Sequence, residues 1–439
     1  MSNPIKIGVF FQNYLPLLIS RQTPNLDFFY FVGENSLIKD CVKKIIPEEK
    51  IIYFKLKRQN DPLSRYSSSE IIKKSNFPQL IKENKINYLI PSFLLSPFVQ
   101  NWGKKNGIKI IFTDSRFKIL ENKIYFDQFL KENDLPKPAS GIVNFPGSKI
   151  TFSDQTCVIQ DPTSSGGYGT FFVKSQNEVQ KMLDQGLLKP NKNYLIREFV
   201  KGPSYGISVF ISPKIIALSA ARKQCFQKLT NHSGGFLGMQ WETSLPSKTI
   251  EQINATFGKI GNFLFHKGFL GFANFDFIVS ENGNIFIIEC NPRFSDATAH
   301  LLVFPQLISG LPVGKLFIES FVTKRPCLKP KFYPYPDSTF SGSVLNIRVF
   351  ADKKNPYLTK RDFKSGLYLS KNGGLDYLSP DPREMSLNEK QLIFFSQVKT
   401  GQVYKETSTI AYSLSNYALF NNDGQVNAEG EKILKSFRY

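Results

Sequence analysis

Histidine and tryptophan are scarce in this 439-residue chain, with three and two copies, and its five cysteines, Cys41, Cys157, Cys225, Cys290 and Cys327, are scattered. An odd, unclustered set has neither metal-ligand spacing nor the density of a disulfide framework, so reduced thiols and a cytoplasmic setting are expected. No stretch after Met1 joins a basic start to a long apolar run, as a secretory leader would. The most apolar later stretch, Leu301 to Val322, is interrupted by Pro305, Gln306, Gly310, Pro312, Lys315 and Glu319, which argues against a membrane span. Internal repeats, low-complexity segments and basic runs of five or more are also missing. Basic residues nonetheless outnumber acidic ones, 56 to 36, for a formal charge of +20. Because they come in scattered pairs such as Lys43-Lys44, Lys73-Lys74 and Lys360-Arg361, they describe solvated faces, and no nucleic-acid motif accompanies them. An acidic substrate is the remaining use for such a charge.

The length suggests about three domains. Ile5 to Phe11, Phe28 to Val32, Ile51 to Leu56, Tyr88 to Pro91 and Ile108 to Phe112 read as strands, with a helical stretch from Ser69 to Glu83 between the third and fourth. Strands separated by helical lengths imply a parallel sheet with crossover helices. A dinucleotide site is excluded there, because only Gly8 lies in the first strand, with no Gly-X-Gly-X-X-Gly after it.

What the chain does have is Phe275 to Arg293, Phe-Asp-Phe-Ile-Val-Ser-Glu-Asn-Gly-Asn-Ile-Phe-Ile-Ile-Glu-Cys-Asn-Pro-Arg. Two short apolar runs flank an Asn-Gly pair, a hairpin-turn signal. Alternate residues of a strand share a face, so Glu289 and Asn291 point the same way and Asp276 reaches that face from the partner strand. Two acids and an amide converging in a half-buried hairpin call for a positive charge, and hard oxygen donors suit Mg²⁺. Arg293 brings a fixed cationic fork fitted to phosphate. A surface hairpin with solvated charges is the alternative.

At Asp276, Glu289, Asn291 and Arg293 the chain resembles the ATP-grasp superfamily, whose signature is an acid on one strand and Glu-X-Asn-X-Arg at the end of the next. The resemblance runs from about Ile119 to Thr298. It implies an α/β, ATP-grasp fold: an N-terminal Rossmann-like lobe over residues 1–115, a nucleotide-binding domain over 116–328 and a small C-terminal β-rich region over 329–439. It implies ATP and Mg²⁺ as cofactors, two ions with Mn²⁺ as an alternative, held by Asp276, Glu289 and Asn291. Glu289 and Arg293 would carry catalysis. Lys123, at the start of the run Tyr125, Phe126, Phe129 and Leu130, would contact phosphates, or is one surface lysine among many. The loop after the strand Thr156 to Gln160 holds Ser165, Gly166, Gly167, Gly169 and Thr170; it would lie over ATP, or is a plain glycine turn. Glu198, Phe199 and Val200 match the adenine hinge. Two departures stand out, since Gln160 occupies the place of a phosphate-binding lysine and Ser204 that of a ribose-binding acid. Arg222, Ser295 and His232 are candidates toward the substrate, although a loop histidine is more often incidental.

The implied activity is carboxylate-amine ligation through an acyl phosphate, on small-molecule or peptide acids and amines. Another branch, biotin-carboxylase-like or purine-pathway-like, and a nucleotide binder without turnover are the alternatives. A homodimer is the one assembly considered, and neither specific nucleic acid nor membrane is expected as a partner.

Overall fold

The computed structural model describes residues 5–11, 13–34, 39–55, 67–91, 96–145, 147–148, 150, 156–164, 169–228, 234–241, 245–323, 329–334, 342–348, 357–358, 364–371, 374–396, 403–404 and 409–438. The first lobe is built on a five-stranded sheet in the order Ile51–Phe54, Asp27–Gly33, Lys6–Phe10, Tyr88–Ile90, Lys109–Ile110. All four pairings are parallel, as strands joined by helices require. The two faces separate the apolar residues of each strand: Ile7 and Val9 enter one core with Tyr30 and Val32, while Phe10 joins Phe29 and Phe31 in another. The single helix expected from Ser69 to Glu83 is two, Ser68–Lys74 and Phe77–Glu83. Pro78 explains the break, because it cannot donate inside a helix and sits in the first turn of the second one.

A four-stranded antiparallel sheet follows, in the order Ser140–Asn144, Asn193–Glu198, Cys157–Gln160, Thr170–Val173. Helix Gln176–Asp184 covers it, its Val179 and Met182 meeting Val143, Phe145 and Tyr194. Strand Ser140–Asn144 escapes a reading by apolar alternation, since four of its five residues lie outside the core.

The third sheet has twelve strands and contains the hairpin, Gly271–Val279 with Ile285–Asn291. Next to it lie Ser204–Ile211, Arg222–Lys228 and Gly234–Trp241. From sequence the glycine-rich stretch Leu229 to Gly238 reads as a polar loop, yet strand pairing begins at Gly234; residues 229–233, and His232 with them, lie outside the described residues. The sheet then runs on into the C-terminal region through Gly342–Arg348, Thr409–Ser415, Gln391–Ser396, Gly366–Lys371 and Gly374–Ser379. The β-rich tail therefore shares a sheet with the hairpin. The stretch Leu301 to Val322 forms two helices, Thr298–Ser309 and Val313–Val322, separated at Gly310, whose φ is +69°. Among the described residues no helix is long and apolar enough to cross a membrane.

The first lobe docks onto these two helices by polar contacts: the Gln22 Nε2 donates to the Leu302 carbonyl at 2.5 Å, and its Oε1 accepts from the Gly314 N–H at 2.6 Å. Tyr14 also meets Phe395 edge to face at 5.1 Å. Junction between the hairpin half of the large sheet and its C-terminal half falls at Gly238, where a Cβ would lie 2.2 Å from the Val344 carbonyl oxygen and 2.7 Å from the Phe420 ring. Gly238→Ala should therefore force the two strands apart and lower stability by roughly 1–3 kcal/mol in urea unfolding, the usual cost of overpacking. An unchanged unfolding midpoint would contradict this close approach.

Candidate active site

A cleft of about 540 Å³ opens between the four-stranded sheet and the large sheet. Its floor is the hairpin. Gly283 turns the chain with φ +76°, and the Ser280 N–H donates to the Asn284 carbonyl at 2.8 Å to close the turn. The register then sets Asp276 opposite Glu289 and Asn274 opposite Asn291. Asp276 and Glu289 thus share one rung and one face. The Asn291 side-chain amide donates to Glu289 Oε1 at 3.1 Å and so fixes that carboxylate.

Lys123 and Arg222 offset the two acids, and Arg293 stands beside Asn291 at the end of the hairpin. Lys123 opens helix Lys123–Glu132, whose start is capped by Asn122 accepting from the N–H groups of Ile124 and Tyr125. Although only 2 % exposed, Lys123 places its Nζ 3.3 Å from Glu289 Oε2 and donates to the Ser164 carbonyl at 2.5 Å. Arg293 donates through Nε to Glu121 at 2.7 Å and through Nη2 to Asn291 Oδ1 at 3.0 Å. Arg222 arrives along the rung: Gly206 stands opposite both Asp276 and Arg222, and having no side chain it lets the guanidinium lie over it. A Cβ on Gly206 would meet the Arg222 guanidinium carbon at 2.8 Å. Arg222 also donates to Ser208 Oγ at 3.1 Å.

Burial, then the neighbouring Glu289, push the Asp276 carboxyl up to about 6, against the pull of Arg222, Gln224 and Lys123. Burial likewise lowers the Arg222 guanidinium to about 10, with Asp276 opposing it. Cys290, between Glu289 and Asn291, faces the core, and burial holds its thiol well above the usual range. It is a packing residue, remote in direction from the carboxylates.

The walls come from both sheets. Gln160, Thr170, Glu198, Phe199 and Val200 line the cleft from the small sheet, and Ser204, Arg222 and Ser295 from the other side. Glu198 is tied to Ala139, whose N–H donates to the Glu198 carboxylate at 3.2 Å while the Glu198 N–H donates back at 3.0 Å. Phe199 meets Phe172 edge to face at 5.9 Å, and Val158, Met239 and Ile278 complete an apolar slot. Ser204 donates to Gln224 at 2.6 Å, and Ser295 Oγ is buried with no partner among the described residues. Gly169 has φ +70°, and its carbonyl accepts from the Asp161 N–H at 2.8 Å. Ser165, Gly166 and Gly167 lie outside the described residues, as does His232. Sequence reading passes over Glu121, Asp127, Arg197, Gln224 and Asn274. Alternation along the strand from Arg222 would have flagged Gln224 and Asn274 follows from pairing with Asn291, but the long-range bonds of Arg197 carry no sequence signal.

Residues 120–297 match the family model for an ATP-grasp domain. Similar solved structures include the biotin carboxylase domain of the Hydrogenobacter thermophilus 2-oxoglutarate carboxylase, in complex with MgADP, ADP and bicarbonate, at 14% identity and a TM-score of 0.61, covering 94% of this chain and 86% of that one. The Campylobacter jejuni biotin carboxylase in a beta-gamma-ATP complex superposes at 12% identity and a TM-score of 0.61, covering 95% and 88%. An N5-carboxyaminoimidazole ribonucleotide synthetase in its ADP complex gives 12% identity, a TM-score of 0.58 and coverage of 99% and 96%.

The charge balance at Asp276 makes stability depend on pH in a definite direction. A carboxyl raised from 3.8 to about 6 binds its proton more tightly in the folded chain, so its contribution is favourable in acid and is lost as pH rises through about 6. Asp276→Asn removes that loss. In the absence of nucleotide, the melting temperature of the variant relative to the parent should climb between pH 4 and pH 7, by the equivalent of up to about 3 kcal/mol. A difference constant across that range would show that Asp276 is not held up by burial and Glu289.

Proposed function

We propose, from the match of residues 120–297 to the ATP-grasp domain model, that the protein is an ATP- and Mg²⁺-dependent ligase that activates a carboxylate as its acyl phosphate and passes it to an amine. The observation that carries the reading is the rung Asp276–Glu289, two partly or wholly buried acids opposite one another with Asn291 beside them and Lys123 and Arg293 at their edge. This donor set fits Mg²⁺: it is all oxygen, it offers two carboxylates and an amide, and Mg²⁺ takes the rest of its shell from phosphate oxygens and water. Among the described residues no larger cluster of His, Cys, Asp or Glu competes for a metal. Asp276, Glu289 and Asn291 would hold one or two such ions, or Mn²⁺. The bound cation supplies an offset to the charge of the phosphoryl group as it moves.

The chain's own residues do the remaining work. The apolar slot of Phe172, Phe199 and Ile278 suits an adenine face, with the backbone of Glu198 to Val200 beside its edge. Ser204 with Gln224 offers neutral hydroxyl and amide groups where the resemblance anticipates a ribose-binding acid. Lys123, now shared between Glu289 and the Ser164 carbonyl, is placed to turn to phosphate once a cation takes over Glu289. Arg293 is held by Glu121 and Asn291, so its fork needs no reorganisation to meet charge developing on a phosphate. Arg222 donates to a single side chain, Ser208, among the described residues, and together with the Ser295 hydroxyl it offers donors to the acid substrate. No side-chain nucleophile is needed. We divide the chain at 115/116 and 328/329, and free Cys41, Cys157, Cys225 and Cys290 fit a reducing, cytoplasmic setting.

A second reading takes bicarbonate as the acid, which is favoured by the bicarbonate complex among the similar structures. The test measures ADP release and new product masses with ATP, Mg²⁺ and a panel of amino acids, peptides and bicarbonate. Acid- and amine-dependent ADP with a new amide mass supports the first reading; ADP that needs bicarbonate and no amine selects the second. Glu289→Gln should cut either activity by roughly 100-fold or more while leaving the fold intact. Full turnover in that variant would remove the hairpin from the mechanism.

A further inference from the structure

Arg197, on strand Asn193–Glu198, is 3 % exposed and spends its donors on three separate elements. Nε and Nη2 donate to Asp127 Oδ1 on helix Lys123–Glu132 at 3.3 and 3.1 Å. Nη1 donates to Gln160 Oε1 on the neighbouring strand at 3.0 Å and to the Ile288 carbonyl of the hairpin at 2.8 Å. Ile288 belongs to the large sheet, so one guanidinium joins both walls of the cleft. Asp127 is further held by Ser140 at 2.6 Å and Lys137 at 3.0 Å.

The chemistry of these bonds fixes Gln160. A guanidinium can only donate, so the Gln160 atom facing it is the carbonyl oxygen. Its NH₂ therefore points the other way, toward Thr170 Oγ1 at 3.4 Å and the cleft, which both residues line. We propose that Arg197 is a positioning residue that locks Gln160 with its amide donors toward the nucleotide phosphates and makes a neutral donor obligatory at position 160. A lysine there would bring an ammonium beside a buried guanidinium that can only donate, where like charges repel. Position 160 then presents an oriented amide to the phosphates, with the positive charge of Arg197 on its far side. This inference rests on the nucleotide reading of the cleft and adds the reason for its least expected residue.

Calorimetric binding of a non-hydrolysable ATP analogue with Mg²⁺, compared with adenosine, tests it. Gln160→Ala and Arg197→Lys should each raise the Kd for the analogue about tenfold, the scale of one hydrogen bond to a charged group. Neither should alter the Kd for adenosine. The double variant should be no weaker than the weaker single one, because both lose the same contact. Gln160→Lys should bind less well than the parent, and Arg197→Met added to it should restore affinity, since the new lysine is then free of repulsion. Asp127 keeps Lys137 and Ser140 in every variant, and thermal melting verifies folding. Additive losses, an equal loss for adenosine, or tighter binding by Gln160→Lys alone would overturn the proposal. Failure of the parent protein to bind the analogue would instead remove the nucleotide reading itself, whereas parent binding with unchanged affinity in Gln160→Ala overturns only the role given to Arg197 and Gln160.

Discussion

Two carboxylates on one rung of a hairpin repel each other, and the surrounding cationic side chains offset that repulsion. Asp276 and Glu289 cannot separate, because strand register holds them opposite. Each countercharge arrives from a different part of the chain: Lys123 from a helix start, Arg222 from a neighbouring strand, Arg197 from the four-stranded sheet. Gly206 belongs to this arrangement as much as the charged groups, because a side chain there would occupy the place of the Arg222 guanidinium. Buried opposite charges gain little net stability over apolar packing, so a cluster of this kind argues for use rather than for folding.

The same charges tie separate segments together. Lys123 donates from its backbone to Pro162 at 2.9 Å and from its side chain to Ser164 and Glu289, so the segment before the glycine loop is fastened to the acids of the hairpin. Arg197 performs a similar union at the back of the cleft between Asp127, Gln160 and Ile288. Occupation of Glu289 by a cation would loosen the first tie and leave the second intact.

The parallel lobe and the hairpin were legible in the sequence because each has a local signature, runs of buried Ile, Val and Phe in one case and Asn-Gly between apolar arms in the other. Strand Gln391–Ser396 carries no such signature, because all six of its residues are buried and a fully buried strand has no alternation to find. Strand Gly234–Trp241 was hidden by its glycines, which suit close approach to Val344 and Phe420 and read as a loop. At the site, the residue types on the hairpin announced the acids, the amide and Arg293. The partners that orient them, Glu121 for Arg293, Gln224 for Ser204 and Arg197 for Gln160, are 172, 20 and 37 residues away in sequence, and only the fold brings them together.

A Mg²⁺ ion bound at the Asp276–Glu289 rung would have to displace the proton that burial favours on Asp276. Calorimetry of Mg²⁺ with a non-hydrolysable ATP analogue at pH 6, repeated in buffers of different ionisation enthalpy, counts the protons released on binding. The parent protein should release a fraction of a proton more than Asp276→Asn does under the same conditions, and this excess should disappear by pH 8. Equal proton release by the two proteins at pH 6 would contradict it.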